Sequence, residues 1–547
     1  MKINFILILL TLSLFSLNGN ACTAIAVGKK ASADGSVIIS HTDCGPDSRI
    51  RYIPAMNFKK GSMVNVYWGI TEVNDPSDLN NYGEIIGQIP QVEHTYAYFH
   101  SAYSHINEHQ LAIGESTISQ REELKIIRKE SKQIMTVEQA QIFALQRCTT
   151  AKQALELITS LMDKYGFLPS CVDESESLII GDPNEVWVLE IYSVGSGWTP
   201  ESGKPGALWV AQRVPDENAL IIPNWSIVKE FDADDSANFM VSSNYMDIAV
   251  KHGWFNPKDN KPFVWQDIFS PLPREWATSR FWLFYSSIAP NYCKWPERTS
   301  SNPFKQDDQY TQWVEPISIY PFSVKPEKKL SVQDIMKFQR STFAGTIYDK
   351  ENAPGWYIPG KDGKMLKSPM ATPFPQRELR QLLTINSRRN VARARGEYGM
   401  IAQLRSWLPD EVGGIYWVFL DNAYTSIYMP IYTGATDVAD CYKIYDKNNF
   451  DNNSMRWCID FVDNLMYLKW QDAHKDLLAE RNILEESYFD EQKAIDKKVE
   501  ELCKKSPKKA NKYLTKLTVD RMNKAHKMFI DLRYKLITKY TNNKRGA

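Results

Sequence analysis

The chain has 547 residues, 43% of them hydrophobic, with 65 Lys or Arg balanced by 65 Asp or Glu. That length supports a large core, as one big domain with an appendage or as two to three domains. A formal net charge of zero supplies no global field for nucleic acid, so none is expected as a partner.

The first 21 residues read "MKINFILILLTLSLFSLNGNA". Lys2 precedes an apolar run from Ile3 to Leu17, and a polar stretch then ends in Gly19-Asn20-Ala21. Small residues at the first and third positions before a cut suit signal peptidase. The run falls short of the ~20 residues that cross a bilayer. The expectation is a signal peptide over 1–21 and an exported chain, periplasmic or extracellular, that begins at Cys22. Two other readings are an uncleaved anchor or buried helix, and a lipoprotein cut that would acylate Cys22. The lipoprotein cut favours Leu three residues before the Cys, where Gly19 stands. No later stretch reads as a membrane span, so the mature chain is not expected to be an integral membrane protein. The sequence leaves homo-oligomerisation open.

Residues 22–120 hold short strand-like runs: "CTAIAVG", "VIISHTD", "NVYWGI", "TYAYFHSAYSH" and "LAIGEST". Turns such as Ala33-Asp34-Gly35-Ser36 join them. Residues 137–164 carry apolar residues at helical spacing. "SLIIGDP" and "EVWVLEIYSV" read as a strand pair around Asp182-Pro183-Asn184, and "LWVAQRVP" and "NFMVSSNYMDI" as further strands. Residues 284–330 are rich in Pro and aromatics and read as irregular. Residues 332–346 and 375–407 read as helical in part, and "GGIYWVFLD" with "TSIYMPIYTG" as a late hairpin. Many strands with helical blocks between and after them imply a layered α+β fold.

From about 455 the pattern is helical. Leu484, Tyr488, Ile495, Val499 and Leu502 form one apolar stripe. After Ser506-Pro507, a cap and first-turn pair, Leu514, Leu517, Met528, Leu532 and Leu536 form another. Residues 504–547 hold fourteen Lys or Arg against two Asp, which usually means a solvated helix face. The expected boundaries are 22–454 for the main domain and 455–547 for a basic helical extension.

Eight cysteines are scattered widely, at 22, 44, 148, 171, 293, 441, 458 and 503. Export permits disulfides, but reserving Cys22 leaves an odd number. There is no CxxC pair to suggest a thiolate zinc site. "HINEH", His105 to His109, matches the inverted zinc motif H-x-x-E-H, which needs a helix. Its flanks read as strands, so 106–110 is better read as a hairpin turn, and no metal or other cofactor is expected. The 16 Trp fit aromatic core packing better than sugar binding.

Cys22 is the candidate nucleophile. A free thiol has a pKa of about 8.5 and needs a base. If Cys22 is the terminal residue, its own α-amine, with a pKa of about 7.7–8.0, lies on the same residue and can serve. If "CTAIAVG" and "VIISHTD" pair with Gly28 opposite Val37, Cys22 falls opposite Asp43, a carboxylate for the terminal amine. The eight-residue turn does not fix that register. The plainer readings are a disulfide cysteine and a surface carboxylate before the turn Cys44-Gly45-Pro46.

Cys22-Thr23, the "KKASADGS" turn and the strand ending at Asp43 resemble the start of the dipeptidase A family. These are N-terminal-nucleophile (Ntn) cysteine peptidases, cousins of bile-salt hydrolase and penicillin V acylase. "NEHQLAIGEST", "SLIIGDPNEVWVLE", "LWVAQRVPDE", "VSSNYMDI", "TSRFW", "QLRSWLPDEVGGIYWV" and "YTSIYMPIYTG" extend the resemblance, with gaps, from Cys22 to about Gly434. The resemblance implies a four-layer αββα sandwich and a Cys exposed by loss of the preceding segment. It implies amide hydrolysis through an acyl-enzyme, with small peptides, dipeptides above all, as substrates. Cys22 and Asp43 match the nucleophile and the carboxylate near the terminal amine. Asn244 resembles the oxyanion-hole asparagine of the acylase cousins, and Arg280 their active-site arginine, suited to orienting Asp43 or a substrate carboxylate. Their second oxyanion contact falls near Thr117, with Glu115 beside it in the substrate site. The cousins' Arg before the Asp has no counterpart unless His41 takes that role. The alternatives are an acylase of non-peptide amides, of bile-salt or penicillin type, and a non-enzymatic, lipid-anchored surface binding protein.

Overall fold

The computed structural model describes residues 22–43, 48–69, 83–170, 174–270, 275–292 and 320–542. The leader 1–21 and the turn at Cys44-Gly45-Pro46 lie outside the described residues, as do Cys171, Cys293 and most of the irregular stretch expected over 284–330.

The architecture is mixed α and β with a helical C-terminal region. A six-stranded antiparallel sheet runs in the order Ala219–Ile222, Ala24–Val27, Val37–Asp43, Tyr398–Leu404, Gly414–Leu420, Met429–Tyr432. An eight-stranded antiparallel sheet runs Phe239–Val241, Leu208–Arg213, Val186–Tyr192, Ser175–Gly181, Ala112–Ile118, Ser104–Asn107, Tyr98–His100, Arg51–Ile53. Strands such as Ala24–Val27 and Gly414–Leu420 are buried at every position, as their unbroken apolar runs require of strands covered on both faces. The sheets meet where Ala112–Ile118 and Ser175–Gly181 lie against Ala24–Val27 and Val37–Asp43. Gly114 and Gly181 allow that approach. A Cβ on Gly114 would stand 3.0 Å from the Ser40 carbonyl oxygen, and one on Gly181 3.1 Å from Ile39 Cγ2.

Helices Val137–Arg147 and Ala151–Tyr165 pack on the eight-stranded sheet. The single helical stretch read over 137–164 breaks at Cys148-Thr149-Thr150, because the Thr150 side chain accepts from the Gln153 N–H and caps a new helix. Helices Glu275–Ile288, Val332–Gln339, Met455–Met466 and Pro507–Tyr540 pack on the six-stranded sheet. Trp470–Lys505 joins them there: Phe489 stacks on Trp417 at 4.4 Å between ring centroids, and Arg405 pairs with Asp496 at 2.6 Å. Pro507 opens the last helix, as the sequence implies, while Ser506 takes the N-cap position without a side-chain capping hydrogen bond.

The hairpin that carries Cys22 has the offset that the sequence permits without dictating. Ile25 pairs with Ser40, Ala26 with Ile39 and Val27 with Ile38. Thr23 and Thr42 exchange backbone hydrogen bonds of 3.2 and 3.1 Å, and the same offset sets Cys22 across from Asp43. The turn itself is fixed by side chains. Asp34 accepts from the Ser36 N–H and hydroxyl and from Gln403 Nε2, while Gly35 takes φ 90°. The pair Ser175–Gly181 and Val186–Tyr192 turns at Asp182, with Gly181 opposite Val186.

One central strand escapes the sequence. Tyr398–Leu404 lies within 375–407, which reads as partly helical, and the described helix there is only Arg377–Leu382. The strand sits mid-sheet, paired on one side with Val37–Asp43 and on the other with Gly414–Leu420. Its Met, Ala, Gln and Leu are helix formers, and burial between two neighbours overrides that propensity.

Gly28 follows the strand Ala24–Val27 with its N–H on Asn218 O, and a Cβ there would fall 2.4 Å from Asp216 O, a backbone atom. Gly28→Ala is expected to destabilise the fold by about 1–3 kcal/mol, read from the urea midpoint. An unchanged midpoint would contradict the close approach.

Candidate active site

Cys22 is 1% exposed. Its Sγ lies 3.2 Å from Asp43 Oδ1 and 3.9 Å from Thr117 Oγ1. Asp43, the last residue of its strand, is buried. Thr117 and Glu115 are two apart on the strand Ala112–Ile118 and so share a face. The Thr117 hydroxyl reaches Glu115 Oε1 at 3.2 Å. Glu176 pairs opposite Thr117 on the next strand, diagonal to Glu115 on that face, and its carboxyl contacts that of Glu115. Glu115 is fully buried, and desolvation pushes its carboxyl up to about 8, helped by the charge of Asp43 and opposed by hydrogen bonds with Glu176, Cys22 and Thr117.

A second set of contacts fixes the backbone of Cys22. Arg280, on the helix Glu275–Ile288, is fully buried. One guanidinium nitrogen donates to the Cys22 carbonyl and to Thr23 Oγ1, both at 2.6 Å. The other donates to the Pro223 carbonyl at 2.6 Å and to Asn224 Oδ1 at 2.9 Å. Asn224 in turn donates through Nδ2 to the Thr117 carbonyl at 2.9 Å and through its backbone N–H to Ser116 Oγ at 3.1 Å. Asn224 has φ 64°, a conformation Asn tolerates better than most residues. Its loop is anchored by Glu190, which accepts from the N–H groups of Ile227 and Val228 and from Ser226 Oγ. Arg280 and Asn224 thus link the Cys22 carbonyl to the strand that carries Thr117.

His41 is fully buried, and desolvation lowers its pKa despite the opposing Asp43 charge and Glu115 backbone, so it is neutral at pH 7. Its Nδ1 lies 2.7 Å from the Glu115 carbonyl oxygen, and its ring packs 5.8 Å from Tyr398 and 5.1 Å from His105, centroid to centroid. It clamps the Glu115 strand to the Asp43 strand. Beside Asp43 opens a narrow cleft of about 20 Å³ lined by Thr42, Arg393, Tyr398, Asp421 and Ala423 among others.

Of the residues singled out from sequence, Cys22, Asp43, Glu115, Thr117 and Arg280 come together. Asn244 does not. It precedes the helix Tyr245–Lys251, and its Nδ2 donates to the carbonyls of Ala207 and Pro205. The pairings run from Thr117 through Glu176, Ile191 and Trp209 to Ser242, so the Asn244 segment lies four strands away, about 19 Å. The asparagine beside Cys22 is Asn224, in "IIPNWS". Its only sequence signal is an Asn just after a strand, which Asn244 shares. The Arg280 fork, read from sequence as suited to Asp43 or a substrate carboxylate, holds the Cys22 carbonyl. "HINEH" is not helical: Ser104–Asn107 is a strand, and Gln110 at φ 61° turns the chain into the next. The His109 ring meets Asp410 at 3.3 Å, while His105 is fully buried against the Tyr416 hydroxyl at 3.0 Å.

A buried thiol at a strand end, flanked by carboxylates and held by a guanidinium on its own carbonyl, is an arrangement for nucleophilic catalysis. The chain belongs to peptidase family C69, whose family model matches residues 21–482. It is accordingly a cysteine-type hydrolase. Probable dipeptidase B of Streptococcus pyogenes serotype M1 is 22% identical over 98% of this chain and 97% of its own. That alignment runs well into the helical tail, beyond the resemblance legible from the sequence. Dipeptidase A of Lactobacillus helveticus is 24% identical over 80% of each chain, and a dipeptidase of Bifidobacterium longum 26% identical over 60% of each. A solved conjugated bile acid hydrolase from Clostridium perfringens aligns with 51% of this chain and 75% of its own at 11% identity and a TM-score of 0.20, too slight a likeness to bear on the fold.

Arg280→Lys keeps the charge but loses the planar fork. It is expected to cost about 2–4 kcal/mol of stability, read by urea unfolding, and to slow alkylation of Cys22 by iodoacetamide. Wild-type values for both would contradict the positioning role.

Proposed function

We propose that this chain is an exported cysteine dipeptidase, an Ntn hydrolase of αββα layering that cleaves dipeptides through Cys22. The observation that carries the reading is Cys22 Sγ at 3.2 Å from Asp43, at the head of a strand directly after the leader-like segment. The names of the family relatives, dipeptidases A and B, support the substrate class.

Removal of residues 1–21 leaves the α-amine of Cys22 next to Asp43, which orients it. The amine takes the thiol proton, and the thiolate attacks the peptide carbonyl. The oxyanion forms beside the Asn224 amide, whose second N–H remains for it, and the Thr117 hydroxyl. Such donors are worth about 3–4 kcal/mol each. Collapse expels the second residue of the dipeptide, which receives the proton from the α-ammonium. Water, deprotonated by the same amine, then attacks the thioester, and the carboxylic acid and the thiol are restored. Bonds and protons balance in these steps with the thiol, the amine and water alone. Among the described residues no helix is long and apolar enough to cross a membrane.

The test is dipeptide hydrolysis by the mature chain. Cys22→Ser is expected to lose nearly all activity while keeping the fold. Wild-type rates from that variant, or cleavage of penicillin V or a conjugated bile salt in preference to dipeptides, would contradict the reading. A second comparison separates the two asparagines: Asn224→Ala should lower kcat about 10²–10³-fold, and Asn244→Ala should not.

A further inference from the structure

The carboxyls of Glu115 and Glu176 meet in the interior beside the thiol, and both residues are fully buried. Two adjacent buried carboxyls cannot both ionise cheaply. Glu115 Oε2 has no hydrogen-bond partner among the described residues, which an uncharged acid tolerates far better than a carboxylate. The other oxygen, Oε1, lies 3.2 Å from Thr117 Oγ1, and that hydroxyl faces Cys22 Sγ at 3.9 Å. A threonine hydroxyl has one proton. Given to Glu115, it is lost to the reacting centre.

We propose that Glu115 is a positioning residue that sets the direction of the Thr117 hydroxyl. As a neutral acid it donates to Thr117 Oγ1, and the Thr117 proton turns toward the oxyanion. As a carboxylate it takes that proton back, and the oxyanion loses a donor. The inference rests on Cys22 being the nucleophile and deepens that reading by assigning the alkaline limit of the reaction. The groups that face Glu115 are Asp43 and His41 from one strand, Glu176 from another, Tyr398 from a third, and Cys22. His41 is neutral, and the charge of Asp43 disfavours a charge on Glu115, while the hydrogen bonds with Glu176, Cys22 and Thr117 oppose that shift. The raised value of about 8 places the switch above neutrality: the productive orientation holds below it and is lost as pH rises through it.

The experiment is the pH profile of kcat for dipeptide hydrolysis by the mature enzyme. The wild type should decline on the alkaline side near pH 8. Glu115→Gln keeps an N–H to donate to Thr117 but cannot lose a proton. It should show no alkaline decline up to about pH 9.5, at a kcat no more than about tenfold below wild type at pH 7. Thr117→Val should lower kcat about 10–100-fold with KM within about twofold, and Thr117→Ser should restore most of it. An unchanged alkaline decline in Glu115→Gln would overturn the proposal, as would wild-type kcat in Thr117→Val. If Thr117→Val fails to fold, the Gln and Ser variants decide the matter alone. Iodoacetamide labelling of Cys22 in each variant reports an intact nucleophile. Activity in Cys22→Ser would defeat the functional reading itself, whereas an inactive Cys22→Ser beside a wild-type Thr117→Val would defeat only this inference.

Discussion

Two backbone hydrogen bonds between Thr23 and Thr42 hold the offset on which the site depends. A strand pair has a side-chain period of two, so a slip of one residue would turn Cys22 away from Asp43 and put each buried side chain on the opposite face. The turn after Gly28 is too long to dictate that offset. It is set by Asp34, which ties the turn to Ser36 and to Gln403 in the neighbouring strand, and by burial of the strands from both sides. The position of the thiol is thus a consequence of the core.

Around that hairpin the polar groups form a closed arrangement. Arg280 grips the Cys22 carbonyl and Asn224, Asn224 grips the Thr117 carbonyl, and His41 grips the backbone of Glu115. Each link joins one sheet to the other or to a helix, so the geometry at Sγ is backed by the whole interior. The same burial that makes these bonds strong perturbs the acids, with Glu115 held above neutrality. Polar side chains in the middle of an otherwise apolar interior are costly, and here they surround the Cys22 thiol.

Much of this was legible in the chain, and the failures have causes. The hairpins at 22–43 and 175–192 announce themselves through alternation and turn residues, and Cys22 with Asp43 followed from one permitted offset. Tyr398–Leu404 was not legible, because its residues favour helix and only its place between two strands makes it β. Asn224 and Asn244 look alike in sequence, each following a short apolar run. What separates them is a guanidinium more than fifty residues away in the chain and a threonine on the opposite sheet, contacts that no local pattern encodes. Glu115 stood out only as a neighbour of Thr117, and its effect on that hydroxyl depends on Glu176, which no motif marked.

The central claim is that the catalytic base is made by processing: the amine of Cys22 exists only once the chain before it is gone. Intact mass and N-terminal sequence of the protein from an exporting host test this most directly. The account predicts a chain that starts at an unmodified Cys22, with the mass of residues 22–547. A chain that starts elsewhere, or a fatty acid on Cys22, would contradict it, because the thiol would then stand beside Asp43 without its base.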